Sequence, residues 1–511
     1  MTVFDSTTAI DVSRTVAVVG TGTMGQGIAQ VALVAGHPVR LHDAAPGRAE
    51  EAAAAIVARL DRLVEKGRMA PAARDAARGR LHPAAGLPEL ADAALVVEAV
   101  LEQLPVKQEL FTELEKIVAD DCLLATNTSS LSVTAVAGAL RNPGRFVGLH
   151  FFNPAPILPL VEVVSGHATE EEAAARAHAT ALAWGKTPVR CADTPGFIVN
   201  RVARPFYAEA FAVHEERGAD PATIDAVLRE SGGFRMGAFE LTDLIGQDVN
   251  EAVTRSVWDS FFHHPKFTPS LAQRRLVESG RHGRKSGHGW FSYEDGADSP
   301  RPRTQPPAAA PATVVVQGDL GPAEPLVGMI ERAGITVHRE EGGGCIALPG
   351  GVELGLVDGE TSFEFGDGIV YFDLALDYEK ATRIALSASD STLRTMPEAV
   401  DEAVGLFQAL DKDVSLIGDV PGMIVARTVA MLADFAADAV DRGVASAEDV
   451  DTAMKLGVNY PAGPLEWGER LGFGWVCELL ETLHKRYPTG RYAPSLATAR
   501  RAYADDGAES R

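Results

Sequence analysis

Cysteine is scarce: four residues, Cys122, Cys191, Cys345 and Cys477, in a chain of 511. They lie far apart and form no C-x-x-C pair, so neither a disulfide framework nor a metal site is indicated. Long apolar runs are missing too. No stretch approaches the ~20 residues that a membrane helix needs. Met1–Thr8 has neither the basic nor the apolar region of a secretory signal, so the expected place is the cytoplasm, with no membrane partner. Positive charge is in short supply: 47 Lys and Arg face 70 Asp and Glu, a formal net charge of −23. That balance argues against nucleic acid as a partner, because phosphate binding needs concentrated Lys and Arg. An anionic ligand must be held by backbone amides and a few local cations.

What is present reads as an ordinary folded chain, 46% hydrophobic and 23% charged. At ~150 residues per domain, the length suggests about three or four domains. From Thr15 the text TVAVVGTGTMGQGIAQVALVAGHPVRLHDAAP gives strand, glycine-rich turn, helix and second strand. A helical segment follows from Arg48 to about Lys66, and then ALVVEAV, CLLATN, RFVGLH and LVEVVSG read as strands of a parallel sheet. The pattern turns helical after Asp193-Thr194-Pro195-Gly196, and ADSPRPRTQPPAAAPA (297–312) reads as an extended linker. The expected order is a Rossmann-type α/β domain (12–192), a helical domain (193–296), the linker, a small α/β domain without a glycine fingerprint (313–400) and a second helical domain (401–505).

The two helical domains are copies. Asp193-Thr194-Pro195-Gly196-Phe197-Ile198-Val199-Asn200-Arg201 recurs 226 residues on as Asp419-Val420-Pro421-Gly422-Met423-Ile424-Val425-Ala426-Arg427, and Asp225, Gly237, Glu240 and Gly246 match Asp451, Gly463, Glu466 and Gly472 at the same offset. Ala426 stands where the first copy has Asn200, so the second half reads as non-catalytic.

Gly20-x-Gly22-x-x-Gly25 follows a strand and opens a helix, and Asp43 ends the next strand. Such a loop lets a pyrophosphate approach the backbone and sit on the helix N-terminus, while the acidic residue accepts from ribose hydroxyls and repels a 2′-phosphate. NAD is the cofactor this favours; FAD, or glycines that only shape a turn, are the readings it leaves open. Oxidising an alcohol also needs a base. His150 ends the strand RFVGLH, where open sheets place ligands, and Glu162 lies twelve residues on in another strand, able to orient an imidazole. Spacing alone leaves a structural histidine equally open.

The motifs VVEAVLE (96–102), NTSSL (127–131), GLHFFNP (148–154), LVEVV (160–164), DTPGFIVNR (193–201) and GRKSGHGWF (283–291) together resemble the NAD-dependent 3-hydroxyacyl-CoA dehydrogenases. The resemblance implies that an (S)-3-hydroxyacyl-CoA thioester is oxidised to the 3-oxo form, with His150 the base, Glu162 its partner, and Ser129 and Asn200 the polar groups around the reacting substrate. It places cofactor contacts on the loop Gly20, Gly22, Thr23, Met24 and Gly25, and on Asp43, Glu102, Lys107, Ser129, Asn153 and Lys285. Coenzyme A contacts fall on Lys66 and on Arg59, where the animal enzymes have serine. The full domain order is similar to that of long bacterial members acting on 3-hydroxyadipyl-CoA in phenylacetate breakdown; others of similar build act on 3-hydroxybutyryl-CoA. Arg235, which aligns with Pro461, is a candidate partner for an adipyl carboxylate. Short members are implied to pair through the helical domain, so the second copy is expected to replace that partner within one chain, with further homo-oligomers open and one NAD per chain. A non-catalytic NAD sensor and a fusion with an enoyl-CoA hydratase are the competing readings.

Overall fold

The computed structural model describes residues 9–298 and 300–509; Met1–Thr8, on which the secretory-signal reading rests, and Ser299 of the linker lie outside them. The apolar runs become strands because most are buried on both faces, as the middle of a parallel sheet requires. The first sheet holds β1 (Thr15–Val19), β2 (Val39–His42), β3 (Leu81–Pro83), β4 (Ala93–Glu98), β5 (Leu123–Thr126), β6 (Phe146–Phe151), β7 (Leu160–Ser165) and β8 (Thr187–Ala192). Their order is β3-β2-β1-β4-β5-β6-β7-β8. All neighbours are parallel except β6 and β7. The order reverses at β1, and ligands of open α/β sheets bind in the crevice that such a reversal leaves. Strands β3 and β8 were not expected; β3 is three residues long and β8 contains a proline and a charge.

The chain divides into two units. One comprises the chain up to Arg201 together with Ala439–Val458; the other comprises Val202–Asp438 and the chain from Asn459. Within the first unit, helix Arg48–Glu65 buries Ala49, Ala52, Ile56 and Leu60, the three- and four-residue spacing of one helix face. The borrowed segment adds helix Ala447–Gly457, which packs on β7 and β8, and Val444 O accepts from Ala192 N at 2.8 Å.

The second unit holds the other sheet: β9 (Thr313–Gln317), β10 (Thr336–Glu340), β11 (Cys345–Ala347), β12 (Glu353–Leu356), β13 (Ile369–Phe372), β14 (Arg383–Ala388) and β15 (Asp413–Ile417), in the order β10-β9-β11-β12-β13-β14-β15. Strand β15 corrects the expected start of the second helical domain at 401: helix Pro397–Ala409 and β15 still belong to the small α/β domain. The repeat explains this, since an offset of 226 carries β8 onto β15. The linker is extended but anchored, with Gln305 N donating to Val414 O and Ala308 N to Gln408 Oε1, each at 2.8 Å.

In this unit helix Pro221–Glu230 of the first helical copy packs on β14. Its counterpart in the second copy, Ala447–Gly457, packs on β7 and β8 in the other unit. Each sheet therefore carries a helix from the helical copy that follows the other sheet. The helical copies also meet inside the second unit through buried charge: Arg427 binds Glu209 and Glu216, each at 2.8 Å, and Arg491 and the Tyr492 hydroxyl reach Glu209 at 2.7 and 2.8 Å. Removing one partner from such a cluster costs about 3–5 kcal/mol, because the others are left buried and uncompensated. Among the described residues no helix is long and apolar enough to cross a membrane.

Candidate functional site

The short connection between β6 and β7 makes them antiparallel and sets His150 directly opposite Glu162. Opposed residues of an antiparallel ladder project from the same face. His150 Nδ1 and Glu162 Oε2 are accordingly 2.7 Å apart, and the two residues are 5% and 1% exposed. Glu162 Oε1 accepts from Ile198 N and Val199 N at 3.1 and 2.9 Å. One carboxylate thus holds the imidazole with one oxygen and the start of the helical turn bearing Asn200 with the other. The rings of Phe152 and Phe197 stand 4.5 and 5.8 Å from the His150 ring. Because a carboxylate only accepts, the Nδ1 proton points at Glu162 and the lone pair is left on Nε2.

Ser129 follows β5 in a loop tied to β6: Asn127 Oδ1 accepts from Phe151 N at 2.9 Å. The same loop is gathered around Glu102, whose Oε1 accepts from Ser129 N (3.1 Å), Ser130 N (3.2 Å), Ser130 Oγ (2.9 Å) and Thr128 Oγ1. Burial pushes the Glu102 carboxyl up, but Lys107 and the Thr128 and Ser130 hydroxyls outweigh it and hold it below the ordinary value. Lys107 departs from expectation. It is 1% exposed, with Nζ 2.5 Å from Glu98 and 3.2 Å from Glu102. Two carboxylates neutralise its charge, so it braces the loop rather than offering a cation to an anion. Glu98, unassigned from sequence although it lies in VVEAVLE, is fully buried and also accepts from Thr126 Oγ1 (2.7 Å) and Val100 N (2.7 Å). An acidic residue ending an otherwise apolar strand was its only signal.

The glycine loop has the form a dinucleotide needs. Gly20 adopts φ +94°, and a Cβ there would lie 2.5 Å from Ala99 O; one on Gly25 would lie 1.8 Å from Gly20 O, so helix and strand can meet only at glycine. A Cβ on Gly22 would meet nothing within 4 Å, and Gly22 caps helix Thr23–Ala35, whose first turn carries no acidic residue. Open space and free amides at a helix start fit a pyrophosphate. Thr23 is exposed and Met24 half-buried against the core. Asp43 Oδ2 accepts from Thr21 N and Oγ1 at 2.9 and 2.7 Å, and Oδ1 from Ala45 N at 3.0 Å. Burial raises its carboxyl, yet these bonds prevail and hold it below the ordinary value, which keeps an ionised acceptor at the end of β2. The residues fit NAD.

Asn153 is exposed beyond β6, and Lys66 is the exposed cap ending helix Arg48–Glu65. Arg59 is turned inward on Gln26 and Gln30, at 3.1 and 3.0 Å, which commits it to packing two helices rather than to coenzyme A. Lys285 and Arg235 belong to the second unit: Lys285 pairs with Asp248 at 2.6 Å, and Arg235 is exposed in the loop after helix Pro221–Glu230.

Comparison with known proteins agrees with this arrangement. The family model for the 3-hydroxyacyl-CoA dehydrogenase NAD binding domain matches residues 15–194, and that for the family's C-terminal domain matches twice, at 196–293 and 422–507. Between them, 354–421 match the 3-hydroxybutyryl-CoA dehydrogenase reduced Rossmann-fold domain. The chain is 42% identical to the 3-hydroxyadipyl-CoA dehydrogenase of Escherichia coli K12 over 97% of its own length and 99% of that protein. It is 38% identical to the mitochondrial hydroxyacyl-coenzyme A dehydrogenase of Sus scrofa, over 55% of this chain and 91% of that one. A crystal structure described as 3-hydroxybutyryl-CoA dehydrogenase from Escherichia coli K12 superposes with a TM-score of 0.88 at 41% identity, covering 98% of this chain and 100% of that one.

Proposed function

The chain belongs to the NAD-dependent 3-hydroxyacyl-CoA dehydrogenases, and from that premise we propose that it oxidises (S)-3-hydroxyadipyl-CoA to the 3-oxo thioester with His150 as the base. The observation that carries the site is the doubly used Glu162, 2.7 Å from His150 and bonded to Ile198 N and Val199 N. The substrate is carried by the end-to-end likeness to the Escherichia coli enzyme of that name.

When bound, NAD accepts the hydride from carbon 3 of the substrate. His150 Nε2 takes the hydroxyl proton as the carbonyl forms, and Glu162 stabilises the resulting imidazolium and keeps it aimed. Ser129 and Asn200 present polar groups to the oxygen that changes from hydroxyl to carbonyl. Fixing them before the reaction supports the reading, since preorganised dipoles stabilise developing charge without reorganising. Gly22 and Asp43 hold the two ends of the adenosine diphosphate portion. Asn153 and Lys285 remain assigned to the cofactor, and Lys66 to coenzyme A.

The description of the Escherichia coli crystal structure favours a second substrate, 3-hydroxybutyryl-CoA. NADH formation across a panel of 3-hydroxyacyl-CoAs separates the two: kcat/KM should be highest for the adipyl thioester, and a preference for the butyryl one would reverse the assignment. The buried charge between the helical copies supports the further reading that the second copy takes the place of a second subunit. A truncation after residue 296 that stayed soluble, monomeric and fully active would sink that reading.

A further inference from the structure

Arg204 begins helix Arg204–Glu215 and is 6% exposed. Its Nη1 donates to Thr254 Oγ1 at 2.9 Å, and its guanidinium lies 5.0 Å over the Tyr207 ring. Its buried Nε has no acceptor, and among the described residues no carboxylate pairs with it. The contrast within the same unit is plain: Arg383 and Arg427, 3% and 1% exposed, each hold two carboxylates. The ionisable groups that interact with Arg204 are Tyr207 and Tyr460, phenols that burial keeps neutral. Tyr460, from the second helical copy, is 5% exposed and its hydroxyl is also without a partner. Its ring rests among Phe206, Phe234 and Trp467, at 5.7, 5.2 and 5.7 Å.

A guanidinium withdrawn from water without a counter-ion is costly to the fold. A chain that tolerates one beside an unsatisfied phenol, in aromatic surroundings, has the parts of a carboxylate receptor: a forked cation, a second donor and an apolar wall for methylenes. We propose that Arg204, assisted by the Tyr460 hydroxyl, receives the far carboxylate of a dicarboxylic 3-hydroxyacyl chain. Arg204 stands four residues along the chain from Asn200. The proposal rests on the dehydrogenase reading above and supplants Arg235 in the carboxylate role. Arg235 is exposed, and an ion pair made in water discriminates little, whereas a buried site built for a charged group rejects the analogue lacking it.

The test compares 3-hydroxyadipyl-CoA with 3-hydroxyhexanoyl-CoA, the same chain ending in methyl. Wild-type enzyme should favour the adipyl thioester. Arg204→Met should lower the adipyl-to-hexanoyl ratio of kcat/KM by ~10²-fold or more, and Tyr460→Phe by ~10-fold. The thermal midpoint of Arg204→Met should hold or rise, because an unpaired buried charge has been removed; a purely structural arginine would lower it. Equal losses on both thioesters overturn the proposal, as does an unchanged ratio. Should Arg204→Met fail to fold, Tyr460→Phe, which deletes one oxygen, decides by the same ratio. A wild-type enzyme that oxidises both thioesters without preference overturns the Arg204 assignment and leaves the dehydrogenase reading standing; oxidation of neither overturns both.

Discussion

The catalytic half and its degenerate repeat place different residues on the same framework. In the first sheet His150 faces Glu162, which lies level with Val189 on β8. In the second, Asp373 N donates to Ala385 O at 2.9 Å just past the β13–β14 ladder, and Ala385 lies level with Ser415 on β15. Val189 and Ser415 are 226 residues apart, the offset that relates Asp193 to Asp419. Asp373 therefore occupies the place of His150, Ala385 that of Glu162 and Ala426 that of Asn200. Asp373 bonds Ile424 N (3.0 Å), Val425 N (2.8 Å) and Ala426 N (3.1 Å), the counterparts of the amides that Glu162 caps. Capping the helix start is the structural duty and survives in both halves; orienting an imidazole is the catalytic duty and exists in one. Asp193 and Asp419 keep identical work, accepting from Ser132 Oγ and Thr134 N (2.7 Å each) and from Ser362 Oγ and Phe363 N (2.9 Å each).

The sharpest break of this comparison is at His150. His150→Gln should lower kcat by ~10²–10⁴-fold, the usual worth of a positioned base, with NAD affinity by fluorescence titration held; near-normal turnover would mean the proton goes elsewhere. Glu162→Gln separates the two duties. Its amide oxygen can still serve Ile198 N and Val199 N, so thermal stability should be little changed. Its NH₂ would face His150 Nδ1 and force the proton to Nε2, the wrong tautomer for a base, lowering kcat by ~10²-fold. A large fall in stability with turnover per folded molecule intact would show that capping alone matters.

The catalytic half was legible because its chemistry is local in sequence: glycines at fixed spacing, an acid closing the next strand, a histidine closing another. The glycine loop, Asp43 and the His150–Glu162 pair are brought together as those patterns imply. Arg59 and Lys107 were misread, because residue type does not show whether a cation's partner will be a ligand or a buried side chain. Glu98, Arg204 and Asp373 went unremarked for the same reason: each matters through burial, and burial depends on elements far away in sequence. Strand β15 was missed as a short run carrying two charges between helices, although the repeat already contained it.

Gly457 gives a smaller test. It ends helix Ala447–Gly457, and a Cβ there would lie 2.8 Å from Leu160 Cδ2 and 3.0 Å from Val199 Cγ2. Leu160 is two residues before Glu162, and Val199 N is one of its donors. In the other half Ser231 takes this position and bonds Arg383 O at 2.7 Å, where Arg383 is the counterpart of Leu160. Overpacking typically costs about 1–3 kcal/mol. Gly457→Val should lower kcat up to about tenfold by disturbing the Glu162 link while KM for NAD holds; a rise in KM for NAD alone would place the effect at the glycine loop instead.

Asp373 should have no effect on turnover and a clear one on the pH dependence of stability. Burial pushes its carboxyl up to about 6, despite four backbone amides that pull it down. The unfolded value is about 3.9, so between the two the folded chain binds the proton more tightly. The resulting stabilisation is complete below pH ~4 and is lost as pH rises through about 6. Asp373→Asn has no such proton. Its stability should be lower overall, since only one of its terminal atoms can accept, but the decline from pH 4 to 7 in urea midpoints should be flatter than in wild type. Parallel curves would mean that Asp373 is ionised throughout, paired as firmly by its amides as a carboxylate kept for catalysis.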